Sequence, residues 1–315
     1  MSETWHILGA GALGSLYAAF LASAGADVTI VERSADTQGK PAGETATGTR
    51  EFSVSSPVAA IQRGFCINTS PADEGSEIKR LLVATKSYDA VAAVCNVRHR
   101  LTGTSDVVLM SNGSGYQQEV AQAVSKPRYF YCLSTEGSNW RCANALVHAG
   151  SGTSRLGSID HQRAPDWLPL WQHAIPGTRW EEDIESALWM KLVINAVINP
   201  ITALTGTRNG ELNSDPVLSA KVANLCKELS ALTLASAHRQ LADTLESEVR
   251  KVIAGTANNR SSMLQDIAAG RPTEIEFING YISAEAKRLG VATPLNDALA
   301  SDIAALETKK MDARN

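Results

Sequence analysis

The chain has 315 residues, enough for two domains of ordinary size, each able to bury a core of its own. Hydrophobic residues at 44% and charged residues at 20% are the proportions of a globular protein and exclude a disordered one. A formal net charge of −4 argues against nucleic acid or an anionic membrane as the main partner, so basic groups that matter must act locally, in a pocket.

Residues 5–8 (Trp-His-Ile-Leu) read as a short strand, followed by a glycine-rich turn and an apolar helix from about Ala12 to Ala24. Residues 27–31 read as a second strand, so the chain begins with one βαβ unit. A Gly/Thr/Ala-rich stretch from Ala35 to Thr49 is expected to be a loop, with short strands near 51–59 and 64–67. Leu81–Thr85 and Val107–Met110 are buried-strand candidates on either side of a helical segment at 87–96. After Tyr129–Leu133 the pattern turns hairpin-like, punctuated by Gly150, Gly152 and Gly157. From about Asp183 the strand signals stop. Helical segments follow at roughly 184–205, 215–238, 241–253, 262–269, 274–289 and 295–309. The pattern predicts an α/β, Rossmann-type doubly wound domain over residues 1–180 and an all-α domain over 181–315.

The stretch from Ile7 to Ala26 is apolar enough to imitate a signal peptide, but Glu3 stands where a positive leader belongs and glycines interrupt it. No other segment approaches ~18 uninterrupted apolar residues, so no membrane partner is expected. The five cysteines (Cys66, Cys95, Cys132, Cys142 and Cys226) form no C-x-x-C, and the six histidines form no H-x-x-x-H pair. No metal site is therefore expected, and scattered thiols suit a reducing, cytoplasmic setting.

Gly9-Ala10-Gly11-Ala12-Leu13-Gly14 fits G-x-G-x-x-G and lies between a strand and a helix, the context the dinucleotide fingerprint requires. The first glycine permits a tight turn, the second lets a pyrophosphate approach the backbone, and the third lets helix and strand pack closely. The helix N-terminus adds N–H groups and positive potential. At the end of the second strand stands Glu32-Arg33-Ser34. An acid there suits the ribose hydroxyls of NAD, whereas Arg33 would clamp the 2′-phosphate of NADP. Both are present, and NADP(H) is the expected cofactor because Arg33 could cover phosphate and adenine together. Lys86 and Asn112 end two further strands, where ligands bind in such sheets. Lys86 could place a charge near the cofactor or a substrate carboxylate, and Asn112 could bond ribose or substrate. A solvated lysine and an Asn-Gly turn are the plainer alternatives.

Within Leu188–Asn199, apolar nearly all round, the exceptions are Lys191, Asn195 and Asn199, spaced by four. Residues four apart are offset by about 40° on a helix, so the three form one polar stripe. Burying them unpartnered would cost several kcal/mol, so the stripe calls for a polar substrate or for ordinary protein partners. Asn199-Pro200 is expected to interrupt or kink the helix, and Asn209-Gly210 to mark a turn. Ser262-x-x-Gln265 and Thr273-x-x-Glu276 fit capping boxes, and Glu274 would fall in a first helical turn.

Taken together these segments resemble the ketopantoate reductases (2-dehydropantoate 2-reductases). The resemblance rests on the glycine turn from Ile7 to Gly14, the Thr85-Lys86 strand end, Asn112-Gly113, the run Lys191–Ala203, Asn209–Leu212, Ser261–Asp266 and Thr273–Gly280, in the family's order. It implies NADPH-dependent reduction of 2-dehydropantoate to pantoate, a step toward coenzyme A. It carries the general acid to Lys191 and substrate contacts to Asn195, Asn199, Asn209 and Ser262. Asn112 and Glu274 would line the junction of cofactor and substrate, while Lys86 and Arg33 would serve the NADP(H) site. A lysine supplies both the proton and the positive charge that a developing alkoxide needs. Two other readings stay open: a reductase of a different 2-oxo acid, and an NADP(H)-binding redox sensor without chemistry. The partner expected is a small 2-oxo acid, and the oligomeric state, a homodimer included, is left open.

Overall fold

The computed structural model describes residues 3–32, 48–56, 61–73, 75–160 and 162–312. The chain forms two compact units, Met1–Ser111 with Tyr116–Ile184, and Asn112–Gly115 with Glu185–Asn315.

The first unit is built in the order β1 (Thr4–Leu8), α1 (Ala12–Ser23), β2 (Asp27–Glu32), β3 (Gly48–Ser56), β4 (Ile61–Pro71), β5 (Arg80–Val83), α2 (Ser87–Val97) and β6 (Asp106–Leu109). It continues with α3 (Tyr116–Ala123), β7 (Arg128–Ser134), β8 (Gly137–Cys142), β9 (Ala145–Gly150), β10 (Ser154–Gly157), α4 (Leu168–Ala174) and β11 (Thr178–Trp180). All strands join one sheet in the order β11-β10-β7-β6-β5-β1-β2-β4-β3-β9-β8. Its centre, β4-β2-β1-β5-β6-β7, is parallel throughout. That is the Rossmann order, and the chain reverses direction of travel across the sheet between β1 and β5. The central strands are short apolar runs because both their faces are covered; all of β6 is buried.

The region expected to hold two short strands is a long antiparallel hairpin, β3 against β4, in register from Gly48↔Thr69 to Ser56↔Ile61. Strand β9 then pairs with β3 and β8 with β9, and β8, β9 and α4 all pack on α1. This explains why α1 has no polar face. Its Gly14, Ser15, Leu16, Tyr17, Ala18, Ala19 and Leu21 are all buried. Below it Trp5, Trp167 and Trp171 meet ring to ring at 5.0 and 5.1 Å from Trp5. The buried Asp106 carboxylate there is satisfied by Arg128, at 2.7 and 2.9 Å, and by the Trp167 indole N–H at 2.8 Å.

The second unit is all-α: α5 (Ile184–Thr205), α6 (Glu211–Ser214), α7 (Pro216–Ala235), α8 (Leu245–Gly255), α9 (Ser262–Ala268), a π-helical turn (Glu276–Gly280) running into α10 (Tyr281–Leu289), and α11 (Pro294–Asp312). Local chemistry sets the ends. Asp215 caps α7 by accepting from Val217 N and Leu218 N, with Pro216 in the first turn. Gly290 ends α10 in the left-handed conformation at φ 70°, after Lys287 and Arg288 in the last turn. Leu192, Val193, Val197 and Ile201 of α5 are buried with Val222, Leu225 and Leu229 of α7, Ile278 of the π turn and Ile303 of α11.

Three local expectations are corrected. Helix α5 runs unbroken through Pro200 to Thr205. The cap of α9 is Ser261, whose Oγ accepts from Leu264 N at 3.1 Å, so Ser262 is the first helical residue and not the cap. Thr273 bonds Ile275 N at 3.2 Å, and Glu274 precedes the helix, because the segment winds as a π turn from Glu276 and not as a regular capped helix.

Candidate active site

In the first unit the loop after β1 demands glycine for two different reasons. Gly9 has φ +97°, and a Cβ there would lie 2.6 Å from the carbonyl carbon of Ala84 at the end of β5. A Cβ on Gly14 would lie 2.0 Å from the carbonyl oxygen of Gly9, so helix and turn could not close up. Gly11 is different: it is exposed, and a Cβ there meets nothing within 4 Å. No protein packing accounts for its glycine. Gly11 is also the N-cap of α1 and contributes no side-chain cap bond to the first turn of the helix. Ala10, Ala12 and Leu13 complete the turn and are half-buried against the sheet core.

The neighbouring loops are braced. Ser111 donates to Thr85 O at 2.7 Å, joining the ends of β6 and β5, and Tyr116 bonds both backbone groups of Ser111. Lys86 stands at the N-cap of α2 in extended conformation and is half-buried. Glu32 closes β2, half-buried beside Pro71. Arg33, the expected phosphate clamp, lies outside the described residues.

Within the second unit the stripe is present on α5. Lys191 and Asn195 are half-buried and Asn199 is buried, while Leu192, Val193, Ala196, Val197 and Ile198 around them are buried. Hydrogen bonds tie α5 to the N-cap of α9, and Asn209 to the stretch just before that cap. Thr202 on α5 donates to Ser261 at 2.8 Å, one residue before Ser262, which is exposed at the start of α9. Asn209 N donates to Asn259 O at 3.0 Å, holding the Asn209-Gly210 turn against the same stretch. The Asn209 side chain is 7% exposed and donates to Thr256 Oγ1 at 2.9 Å, yet its Oδ1 has no partner among the described residues.

The segment Asn112–Gly115 is clasped onto the residues that precede α10. Asn112 Nδ2 donates to the buried Glu274 carboxylate at 3.1 Å. Ser114 N donates to Phe277 O at 2.8 Å, and Gly113, at φ +85°, passes so close that a Cβ would lie 2.4 Å from Phe277 O. Asn112-Gly113 is thus more than a turn signal. Sequence reading did not single out the Ser261, Thr202 and Thr256 hydroxyls, which besides their local bonds meet partners distant in the chain: Thr202 with Ser261, and Thr256 with Asn209.

A family model described as Ketopantoate reductase PanE/ApbA matches residues 5–161, and one described as Ketopantoate reductase PanE/ApbA C terminal matches residues 183–307. The chain belongs to the ketopantoate reductase family. Its relatives include the 2-dehydropantoate 2-reductase of Vibrio cholerae serotype O1, 31% identical over 303 residues that cover 96% of this chain and 97% of the relative. The crystal structure of a probable 2-dehydropantoate 2-reductase from Bacillus subtilis superposes with a TM-score of 0.78 at 25% identity, covering 96% of this chain and 99% of the other. A D-mandelate dehydrogenase solved with NADH and anilino(oxo)acetate shares the fold, with a TM-score of 0.78 at 20% identity over 98% of this chain and 99% of the other. This ketopantoate reductase family member is therefore an oxidoreductase of the CH–OH/C=O couple, working with a pyridine nucleotide on a small molecule.

Proposed function

We propose that the chain reduces 2-dehydropantoate to pantoate with NADPH, Lys191 acting as the general acid, on the route to coenzyme A and in the cytoplasm. The observation that carries this reading is the polar stripe Lys191-Asn195-Asn199 on an otherwise apolar helix, with Asn209 and the start of α9 tied in around it. The substrate's name is supported by relatives that carry it over nearly the whole chain. Five free cysteines support a reducing compartment.

The residues of the glycine turn fit a dinucleotide: Gly9, Ala10, Gly11, Ala12, Leu13 and Gly14 would hold the pyrophosphate, Lys86 would serve the same NADP(H) site, and Asn112 and Glu274 would line the junction of cofactor and substrate. Arg33 would select the 2′-phosphate. When bound, the reduced nicotinamide supplies a hydride to the substrate's carbonyl carbon. Lys191 gives its proton to the oxygen as charge develops there and leaves a hydroxyl, so the 2-oxo acid becomes a 2-hydroxy acid. Asn195, Asn199, Asn209 and Ser262 orient the carboxylate and hydroxyl groups, fixing which face of the carbonyl is reduced.

The test is dinucleotide oxidation, followed by nicotinamide absorbance, with 2-dehydropantoate and a panel of other 2-oxo acids, each run with NADPH and NADH. The reading requires 2-dehydropantoate with NADPH to give the highest kcat/KM. A different acid at the top overturns the substrate, and preference for NADH overturns the role of Arg33.

A further inference from the structure

Pro200 lies inside α5 and has no N–H, so the carbonyl of Ala196, four residues earlier, lacks the donor that any other residue would offer. Ala196 is fully buried, sits directly after Asn195 and three residues before Asn199, and cannot turn to water instead. The missing donor comes from another element. Asn279, in the middle of the π turn and 0% exposed, donates from Nδ2 to Ala196 O at 3.1 Å. The same nitrogen donates to Asn296 Oδ1 at 2.9 Å, so two acceptors converge on it and fix which way the amide points. Asn296 returns a bond from its own Nδ2 to Asn279 O at 3.0 Å, and its backbone N is held by the Glu228 carboxylate of α7 at 2.9 Å.

The π turn that carries Asn279 also carries Phe277, whose carbonyl receives Ser114 N, and directly follows Glu274, which receives Asn112. One amide therefore joins the stripe helix to the Asn112–Glu274 ledge. We infer that Asn279 is a positioning residue for the reduction: by replacing the hydrogen bond that Pro200 removes, it sets the pitch of α5 between Asn195 and Asn199 and the place of Glu274 relative to them. This inference rests on the proposed function for its catalytic half. The side chain touches no substrate; it acts through the helix.

Four proteins test it: the parent, Asn279→Ala, Pro200→Ala, and the double variant. Pro200→Ala restores a backbone N–H to Ala196 O and makes the Asn279 donor redundant at that carbonyl. In the parent background Asn279→Ala should lower kcat/KM for the 2-oxo acid about 10- to 100-fold, since a small displacement of positioned groups is amplified in rate, while the Kd for NADPH, read by nicotinamide fluorescence, stays unchanged. In the Pro200→Ala background most of that loss should disappear. Equal losses in both backgrounds, or no loss in either, overturn the inference. A residue that merely held the fold would lower the amount of active protein without this background dependence. A parent with no turnover on any 2-oxo acid would instead sink the functional reading. Thermal unfolding of the same four proteins then decides the bond itself: strictly additive changes in Tm overturn it, and a smaller drop for Asn279→Ala in the Pro200→Ala background upholds it.

Discussion

The two units make their proposed functional surfaces from different materials. In the first, the turn after β1 works through backbone: Gly9 and Gly14 are forced by overlap with Ala84 and with each other, and Gly11 by nothing in the protein. In the second, the proposed surface is a stripe of polar side chains on an apolar helix, and distant hydroxyls and amides bond the residues beside it: Ser261 meets Thr202, Thr256 meets Asn209, and Asn279 meets the Ala196 carbonyl. A backbone site is carried by a few consecutive residues. A side-chain site on helices has to be braced from far along the chain.

The sharpest way to break that contrast is to remove one side chain from the second unit. Lys191→Ala should lower kcat by about 10²- to 10⁴-fold, the range of a lost general acid, with NADPH binding retained by fluorescence titration. Substantial remaining turnover would take Lys191 out of the chemistry.

The glycines probe the backbone site. Gly9→Ala forces a side chain into a left-handed turn and into the β5 backbone, so it should destabilise the protein by about 3 kcal/mol or more, seen in urea unfolding. Gly11→Ala should do the opposite: a stability change below about 1 kcal/mol, with NADPH binding weakened about 10-fold. Equal effects on folding from both substitutions would refute the distinction between a glycine required by packing and one required by the ligand.

Acid should also separate the units. His6 on β1 is buried, its Nδ1 has no partner among the described residues, and its pKa is lowered to about 4 by burial and then by Arg100. Between pH 6.5 and about 4 the unfolded chain takes up a proton that the folded His6 refuses, so stability falls as pH drops through that window and levels off below it. The loss is on the order of 3 kcal/mol. His6→Leu should lose less stability between pH 7 and pH 4.5 than the parent does; an identical acid response in both would discard His6 as its source.

The smallest effect is expected at Asn209. Asn209→Ala removes the bond to Thr256, worth about 1 kcal/mol of stability, and should also raise the KM for the 2-oxo acid about 10-fold, roughly 1.4 kcal/mol. An unaltered KM would return Asn209 to a purely structural bond with Thr256.

The reach of sequence reading follows the same division. Alternation of short apolar runs with helical segments was enough to expect the Rossmann-like unit, and the β1–Gly9–α1 turn was legible because its residues are adjacent and Gly9 and Gly14 answer steric demands. The stripe was legible because a repeat of four on an apolar helix leaves few readings. The capping of α9 went astray by one residue, since Ser261 and Ser262 are equivalent until the Thr202 hydroxyl chooses between them. The span of α5 was legible as a helical segment at 184–205, but not how it passes Pro200 without interruption: the donor that serves Ala196 O lies 83 positions away in the chain.

By itself, then, the order of residues determined what adjacent positions can decide: strand and helix periods, the turn that only glycine can make, the family to which the motifs belong, and the polar repeat on α5. Tertiary structure alone decided which hydroxyl caps α9, that the Glu274 segment begins as a π turn clasped by Asn112–Gly115, and that Asn279 supplies the bond Pro200 withholds. The physical reason is that each of these turns on a hydrogen-bond partner brought in by packing. Whether a buried donor or acceptor is satisfied is a property of neighbours in space, which a linear pattern does not contain.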